Sequence, residues 1–462
     1  MSFATLPSDP QLPSFQLRKI KNLTRFSVRA LLFMGGISWL SLGGQLSADE
    51  WPSWRGPKLD GSTADVKIPV TWGQEKNVAW KVKLPGPGNS SPVVFGESVL
   101  ITQSENDGKQ RSIICYSTKD GSERWKYSVD VTEPEPTHPT NPHCAGSPAT
   151  DGKNVVAILG AAGIVCCDMD GKLLWKKELG APQHLFGQGP SPVLWEDVCV
   201  LNYGPGQEQF FMGLNLKDGS ELWRIDIPQS TAPNPFDQPG GPQLPPGSKL
   251  RDPFGTWATP IVREVEGKTT EVLLSLPDTL LAVSPRDGKV IWECAGNGAQ
   301  VLPSPVHDGE HIACLGGTAF VVKPNGEGDQ SANRLWFEEN DRPRIGTGVI
   351  YGQHIYAATM QGVLECLSLQ TGERIWHRRM SKASGGGGTW SSIIRAGSKM
   401  FAIDQAGTTH VYALEPEFLE IASNELGEST NATPAIANGR IYIRTDAHLW
   451  CIAEKHDKVQ GS

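Results

Sequence analysis

The 462-residue chain carries 42 Lys and Arg against 50 Asp and Glu, a net charge of −8. An acidic chain with no basic run is excluded from tracking a nucleic-acid backbone and from a polybasic membrane patch. Its 51 glycines and 35 prolines are raised yet short of low-complexity levels, which suits many short strands joined by tight turns, and no stretch sustains helical periodicity.

Residues 1–48 read as an export segment. Arg18, Lys19, Lys21, Arg25 and Arg29 form a basic start, Ala30–Leu42 an apolar run, and Ser47-Ala48 a small-residue cleavage site. Cleavage and retention as an N-terminal anchor are the two outcomes. The apolar run is short and Gly-rich against the ~20 residues of a membrane span. Removing the segment takes the net charge to −12. Residues 49–462 then form one domain, expected to be periplasmic or extracellular and monomeric.

Trp51-Pro52-Ser53-Trp54-Arg55-Gly56-Pro57, followed by Asp60-Gly61, reads as irregular packed structure. Asn77–Leu84 reads as a lone Trp-bearing strand with no repeat before it. Repeats then begin at Ser91-Pro92, Ser147-Pro148, Ser191-Pro192, Thr259-Pro260, Ser304-Pro305, Thr347-Gly348, Ser391-Ser392 and Thr433-Pro434, spaced 56, 44, 68, 45, 43, 44 and 42 residues apart. Most intervals fall near the ~40–50-residue period of four-stranded propeller blades. Each unit runs through a Gly turn into a second strand. It ends on a hairpin phrase of small residue, apolar strand, Asp-Gly or Thr-Gly turn and tryptophan, as in Cys366–Trp376, Cys115–Trp125 and Gly213–Trp223. The last unit stops after three strands. The expected fold is therefore all-β: an eight-bladed β-propeller of four-stranded antiparallel blades, closed by the N-terminal strand around Trp80. Trp80, Trp125, Trp175, Trp223, Trp292, Trp336 and Trp376 are expected to pack between blades. In the seventh full unit Phe418-Leu419 stands where the Trp would fall.

Two connections are oversized, Glu133–Cys144 and Pro228–Gly255. Both lead from the last strand of one blade to the first of the next, so they open on one face, the expected functional surface. The candidate loop-face binding residues are His138, Asn141, His143, His184, Trp257, Arg344 and Trp390. The three histidines lack tight metal-ligand spacing, and no metal is assigned. Adjacent Cys166 and Cys167 lie in a repeat strand whose neighbouring side chains point to opposite faces, so they are expected to be unlinked. The nine cysteines are too dispersed for a disulfide scaffold. Asp168 is expected to make turn hydrogen bonds. Gly385–Gly388 lacks the Lys-Ser/Thr of a phosphate loop.

The phrase Cys366–Trp376 resembles the PQQ-like β-propeller repeat unit, Ala-x-Asp-x-x-Thr-Gly-x-x-x-Trp, with Ser368 in place of the Asp. That family includes quinoprotein dehydrogenases and the outer-membrane assembly factor BamB, and the match spans roughly 80–455. The resemblance implies one of two functions. The first is a non-catalytic envelope or secreted propeller that holds a protein or exported ligand and takes no cofactor. The alternative is a dehydrogenase using PQQ with calcium, whose alcohol-oxidising members hold a vicinal disulfide against the quinone. That chemistry needs calcium, an Asp base and an aromatic floor, and the sequence supplies no assignable set.

Overall fold

Strands in the middle of each repeat are buried along most of their length, and the outermost strands alternate. Val198–Tyr203 is buried at every position, whereas in the outer strand Glu221–Ile227 the buried residues are Trp223 and Ile227. This gradient is what face-to-face stacking of wedge-shaped blades requires: middle strands are covered on both faces and outer strands splay toward water. The computed structural model describes residues 50–64, 67–184, 186–206, 208–228, 254–265, 270–339, 342–380, 388–414 and 418–454. The expected export segment, most of the Pro/Gly-rich run before Thr259, and Gly385 to Gly387 lie outside these residues.

The strands form eight four-stranded antiparallel blades, two of them with an added edge strand. Blades 1 to 7 comprise residues 93–130, 149–177, 193–227, 261–295, 306–338, 349–379 and 394–425. Blade 8 takes three strands from the chain's end, Ala435–Ala437, Arg440–Arg444 and His448–Ile452, and its outermost strand, Val78–Lys83, from the beginning. Trp80 stands opposite Cys451, the register that Trp125 shares with Cys115 and Trp376 with Cys366. The lone strand therefore closes the ring as expected.

The tryptophans join neighbouring blades by a repeated contact. The indole Nε1 atoms of Trp80, Trp125, Trp175, Trp223 and Trp336 donate to backbone carbonyls of the next blade's turn, at Thr118, Met169, Leu216, Pro285 and Leu369, over 2.8–3.0 Å. Each ring lies against that turn's glycine. Gly219 has φ +71°, and a Cβ there would stand 2.6 Å from Cε3 of Trp175. Gly219→Ala is expected to destabilise the fold by about 2–4 kcal/mol, combining left-handed backbone strain with a clash. Gly96→Ala, with φ +56° and open space around it, should cost only the strain, about 1–2 kcal/mol. Urea-unfolding midpoints of the two variants test the difference.

Two blades depart from this pattern. After its third strand, blade 5 has no Asp-Gly turn; its chain swings back, and Gly328–Asp329 adds in parallel to the outer edge of blade 4 beside Trp292 and Glu293. Trp292 is thereby fully buried, and its Nε1 donates to Glu271 at 3.1 Å within its own blade. In blade 7 the expectation for Phe418-Leu419 is corrected. A bulge sets Ala422 opposite Val411, in the tryptophan's place. Phe418 precedes the strand and lies on Trp376 of blade 6, centroids 3.8 Å apart. Ile68 and Trp72, from the segment before the closing strand, join the cluster at the blade 7–8 interface.

Cys166 and Cys167 occupy different interfaces, Cys166 with blade 3 residues and Cys167 with blade 1 residues. Burial pushes both thiols up to about 12. Asp168 accepts from the backbone of Asp170 and Lys172 at 3.0 and 2.9 Å, as expected of the turn.

The segment Trp51–Thr63 lies along the inner edges of the blades. Trp51 exchanges both backbone hydrogen bonds with Val94 of blade 1, and Pro52 accepts from Thr150 of blade 2. Leu59 packs with Val193, Ile261 and Ile312 of blades 3, 4 and 5. Ser62 and Thr63 pair in parallel with the inner strand of blade 7. The irregular packed segment expected here is thus a plug in the axial channel.

Candidate functional site

The inner strands begin on the face where blade-to-blade connections arrive, and their first polar residues form a closed circle. The backbone N–H of Ser91 donates to Ser147 Oγ, Ser147 to Ser191, Ser191 to Thr259, Thr259 to Ser304, Ser304 to Thr347, Thr347 to Ser392, Ser392 to Thr433, and Thr433 back to Ser91. All eight bonds are 2.8–3.0 Å. The repeated Ser or Thr therefore has a physical reason: it satisfies the neighbour's buried N–H where no inner strand remains to pair with it. These hydroxyls make a rigid collar around the axis.

Above the collar lies the connection from blade 1 to blade 2. Its root is fixed by an ion pair. Arg111 holds Glu135 through two parallel hydrogen bonds of 3.0 and 2.9 Å, with both side chains buried. The second Glu135 oxygen also accepts from the backbone of Ala161 at 3.1 Å. His143 bonds the Glu135 carbonyl at 2.8 Å and lies against Gly108, whose missing Cβ makes the space. Cys144 sits beneath; burial, partly offset by Arg111, pushes its thiol up to about 11.

The tip of this connection, Thr137 to Asn141, is a tight hairpin bridged between His138 and Asn141. It touches three other connections. The Thr140 carbonyl accepts from Asn89 at 3.0 Å, between blades 8 and 1, and from Asn431 at 3.4 Å, between blades 7 and 8. Asn141 Nδ2 donates to the carbonyls of Phe186 and Gln188, between blades 2 and 3, at 2.8 and 3.1 Å. The hairpin thus straps together connections on either side of blade 1.

Beside it runs an aromatic row. His138 faces Phe186 at 5.7 Å, Phe186 faces His184 at 5.9 Å, and His184 meets Trp257 edge-on at 4.8 Å. Trp257 Nε1 donates to the Gly187 carbonyl at 3.0 Å. His138, Phe186 and Trp257 are partly exposed, whereas His184 is buried beneath them.

Four candidates from the sequence, His138, Asn141, His184 and Trp257, are therefore brought together. His143 lies under the hairpin as a strut. Trp390 is partly exposed between blades 6 and 7, next to Thr389, whose hydroxyl donates to Ile403 at 2.6 Å; it shares the face but not the row. Arg344 is no surface group. It is 1% exposed and bonds the buried Glu365 at 2.7 Å, so its charge is spent inside blade 6. Phe186, Asn89, Thr140 and Asn431 were missed. Their only signal was position in blade connections, which says nothing of which connections meet.

The donor set does not fit calcium with a quinone. Among the described residues no three His, Cys, Asp or Glu are grouped so as to hold a metal ion. The buried carboxylates stand apart from one another: Glu135 with Arg111, Glu271 with Arg263, Glu365 with Arg344, and Asp404 accepting two backbone N–H bonds in a blade 7 turn and facing His410 at 3.7 Å. A polarising cation and an adjacent base require carboxylates meeting at one point.

The sequence profile of the family described as outer membrane protein assembly factor BamB matches residues 70–206 and 212–460. No curated protein matches the chain. Among solved structures it is similar to BamB from Moraxella catarrhalis, at 13% identity over 82% of this chain and 97% of that one, TM-score 0.55. It is also similar to a europium-containing methanol dehydrogenase, at 12% identity over 86% and 89%, TM-score 0.61. A third is the quinohemoprotein alcohol dehydrogenase of Comamonas testosteroni, at 12% identity over 91% and 83%, TM-score 0.60. At these identities the likeness is one of fold.

Proposed function

The chain belongs to the family of the outer membrane protein assembly factor BamB, and from that footing we propose that it is a non-catalytic binding propeller of the cell envelope, presenting its connection face to a partner protein. The observation that carries this reading is the strapped hairpin with its half-exposed aromatic row. Partly exposed aromatic rings on a prepaid scaffold are what protein interfaces use as anchors. The buried carboxylates Glu135, Glu271 and Glu365 are each committed to an arginine inside the fold.

A photo-crosslinking residue at Thr140 or Trp390, in the full chain expressed in its own cells, should capture a discrete protein. The same residue at Leu419, on the outer rim of blade 7, should not. His138→Ala and Trp257→Ala should each reduce capture about tenfold, the loss of ~1.4 kcal/mol expected for an interface anchor, with the melting temperature little changed for His138→Ala. A saturable change in tryptophan fluorescence that requires PQQ and calcium together would overturn the reading, as would equal capture at Leu419.

A further inference from the structure

The outermost strand of blade 6, Arg374–Arg379, has the sequence Arg-Ile-Trp-His-Arg-Arg, and every residue but Trp376 is exposed. Among the described residues no strand lies beyond it, so alternate N–H and C=O groups along its outer edge face away from the blade. Its charge is unbalanced on an acidic molecule. Arg374 Nε lies 3.4 Å from Glu365, but that carboxylate is already held by Arg344 at 2.7 Å and by Arg342. One buried carboxylate thus serves three guanidiniums. Arg378 and Arg379 direct side-chain donors to the carbonyls of His377 and Gln361, at 2.9 and 3.1 Å, and neither is paired with a carboxylate among the described residues. Glu373 is the acidic residue of the preceding turn.

Charge on an edge also wards off unwanted strand pairing. The outer strands of blades 1, 3 and 5 meet that need with mixed charges, as in Glu123–Asp130, Glu221–Ile227 and Arg334–Glu338. Three arginines and a histidine in one six-residue strand exceed it. The molecule also shows what such an edge can hold: on blade 4 the outer edge takes Gly328–Asp329, part of its own acidic stretch Glu327-Gly328-Asp329, as a parallel fifth strand.

We propose that the outer edge of blade 6 is a second docking surface, which takes an extended acidic segment of a partner protein as a fifth strand. Main-chain bonds to Arg374–Arg379 would hold the segment, and carboxylates pairing with Arg378, Arg379 and Arg342 would select it. The surface is separate from the connection face and does not depend on that face's occupant.

The test uses the full chain and a fluorescent peptide alternating Glu and Val, followed by anisotropy at low ionic strength. Saturable binding is expected, weakening with salt and accompanied by slowed amide exchange at residues 374–379. R378E/R379E should weaken it at least about tenfold while leaving the melting temperature unchanged, since both side chains are exposed. A peptide alternating Glu and Pro keeps the charge but cannot donate to a strand edge, and it should bind at least about tenfold more weakly. Failure of the Glu-Val peptide to bind, equal binding to the double variant, or equal binding of the Pro peptide would each overturn the proposal. The last result would mean a general anion surface.

Discussion

Glu135→Ala is expected to lower the unfolding free energy by about 3–5 kcal/mol, because it strands the buried Arg111 guanidinium without its counter-charge. Arg111 would keep only its Nε bond to the Gly108 carbonyl and a long contact to Cys144. The partly exposed backbone N–H of Ala161 would lose its acceptor as well, adding to that loss. A shift of the urea midpoint measures the sum.

The same variant should release the hairpin without touching it. The root of the connection is held by Glu135, and the straps at Thr140 and Asn141 are neutral hydrogen bonds, each contributing about 0.5–1.5 kcal/mol net. Amide exchange at residues 137–141 should accelerate, and capture at the connection face should fall. Replacing both partners, R111M/E135L, removes the charges together and should recover at least half of the lost stability. It should not restore the hairpin's exchange protection, because the bond to Ala161 remains absent. Full recovery of both properties would mean that the ion pair fixes only the interior and not the site.

The eight blades were legible because each repeat carries its own instructions. A small residue opens the inner strand, an Asp-Gly or Thr-Gly turn sets the hairpin, and a tryptophan follows at fixed spacing. These signals lie within about 45 residues, the span of one unit. The closing strand was legible because Trp80 had the repeat's ending without its beginning. What failed to show involves pairs far apart in the chain. Thr140 meets Asn431 across 291 residues, and no local pattern encodes that meeting. Arg344 looked available because its partner Glu365 stands on a strand 21 residues on, where alternation alone does not say which charge turns inward. Blade 7 misled for a related reason: its paired positions Tyr412 and Glu420 are 8 residues apart where Leu367 and Arg374 of blade 6 are 7, so counting from the repeat start places the aromatic at the wrong site. The opening Trp-Pro-Ser-Trp-Arg-Gly-Pro showed by composition that it packs, but not where.

Arg55→Ala is expected to destabilise the propeller by about 3–5 kcal/mol, through loss of charge-assisted bonds and exposure of buried carbonyls to a void. Arg55 is fully buried, and burial lowers its guanidinium to about 10, partly offset by Asp60. It bonds the carbonyls of Gly348 at 2.6 Å and Ile393 at 2.7 Å, one residue before the inner strands of blades 6 and 7, and that of Asp60 at 3.1 Å in its own segment. One side chain therefore ties two blades to the plug. Gly61 makes room for it: a Cβ there would stand 2.1 Å from Nη2. Arg55→Lys should recover little, because a single ammonium cannot span acceptors that the planar guanidinium reaches on separate nitrogens. Trp51→Ala removes the apolar end of the same plug and should cost a similar ~3–5 kcal/mol. The functional contrast with Glu135 is what makes the pair informative. The plug meets the inner strands at Val94 and Arg395, beyond the collar that begins at Ser91 and Ser392. In conditions where Arg55→Ala is still folded, capture at the connection face should be unchanged, whereas Glu135→Ala should lose it at equal residual stability. If Arg55→Ala abolished capture as well, the axial channel would be part of the binding site, and the two ends of the ring would have to be treated as one.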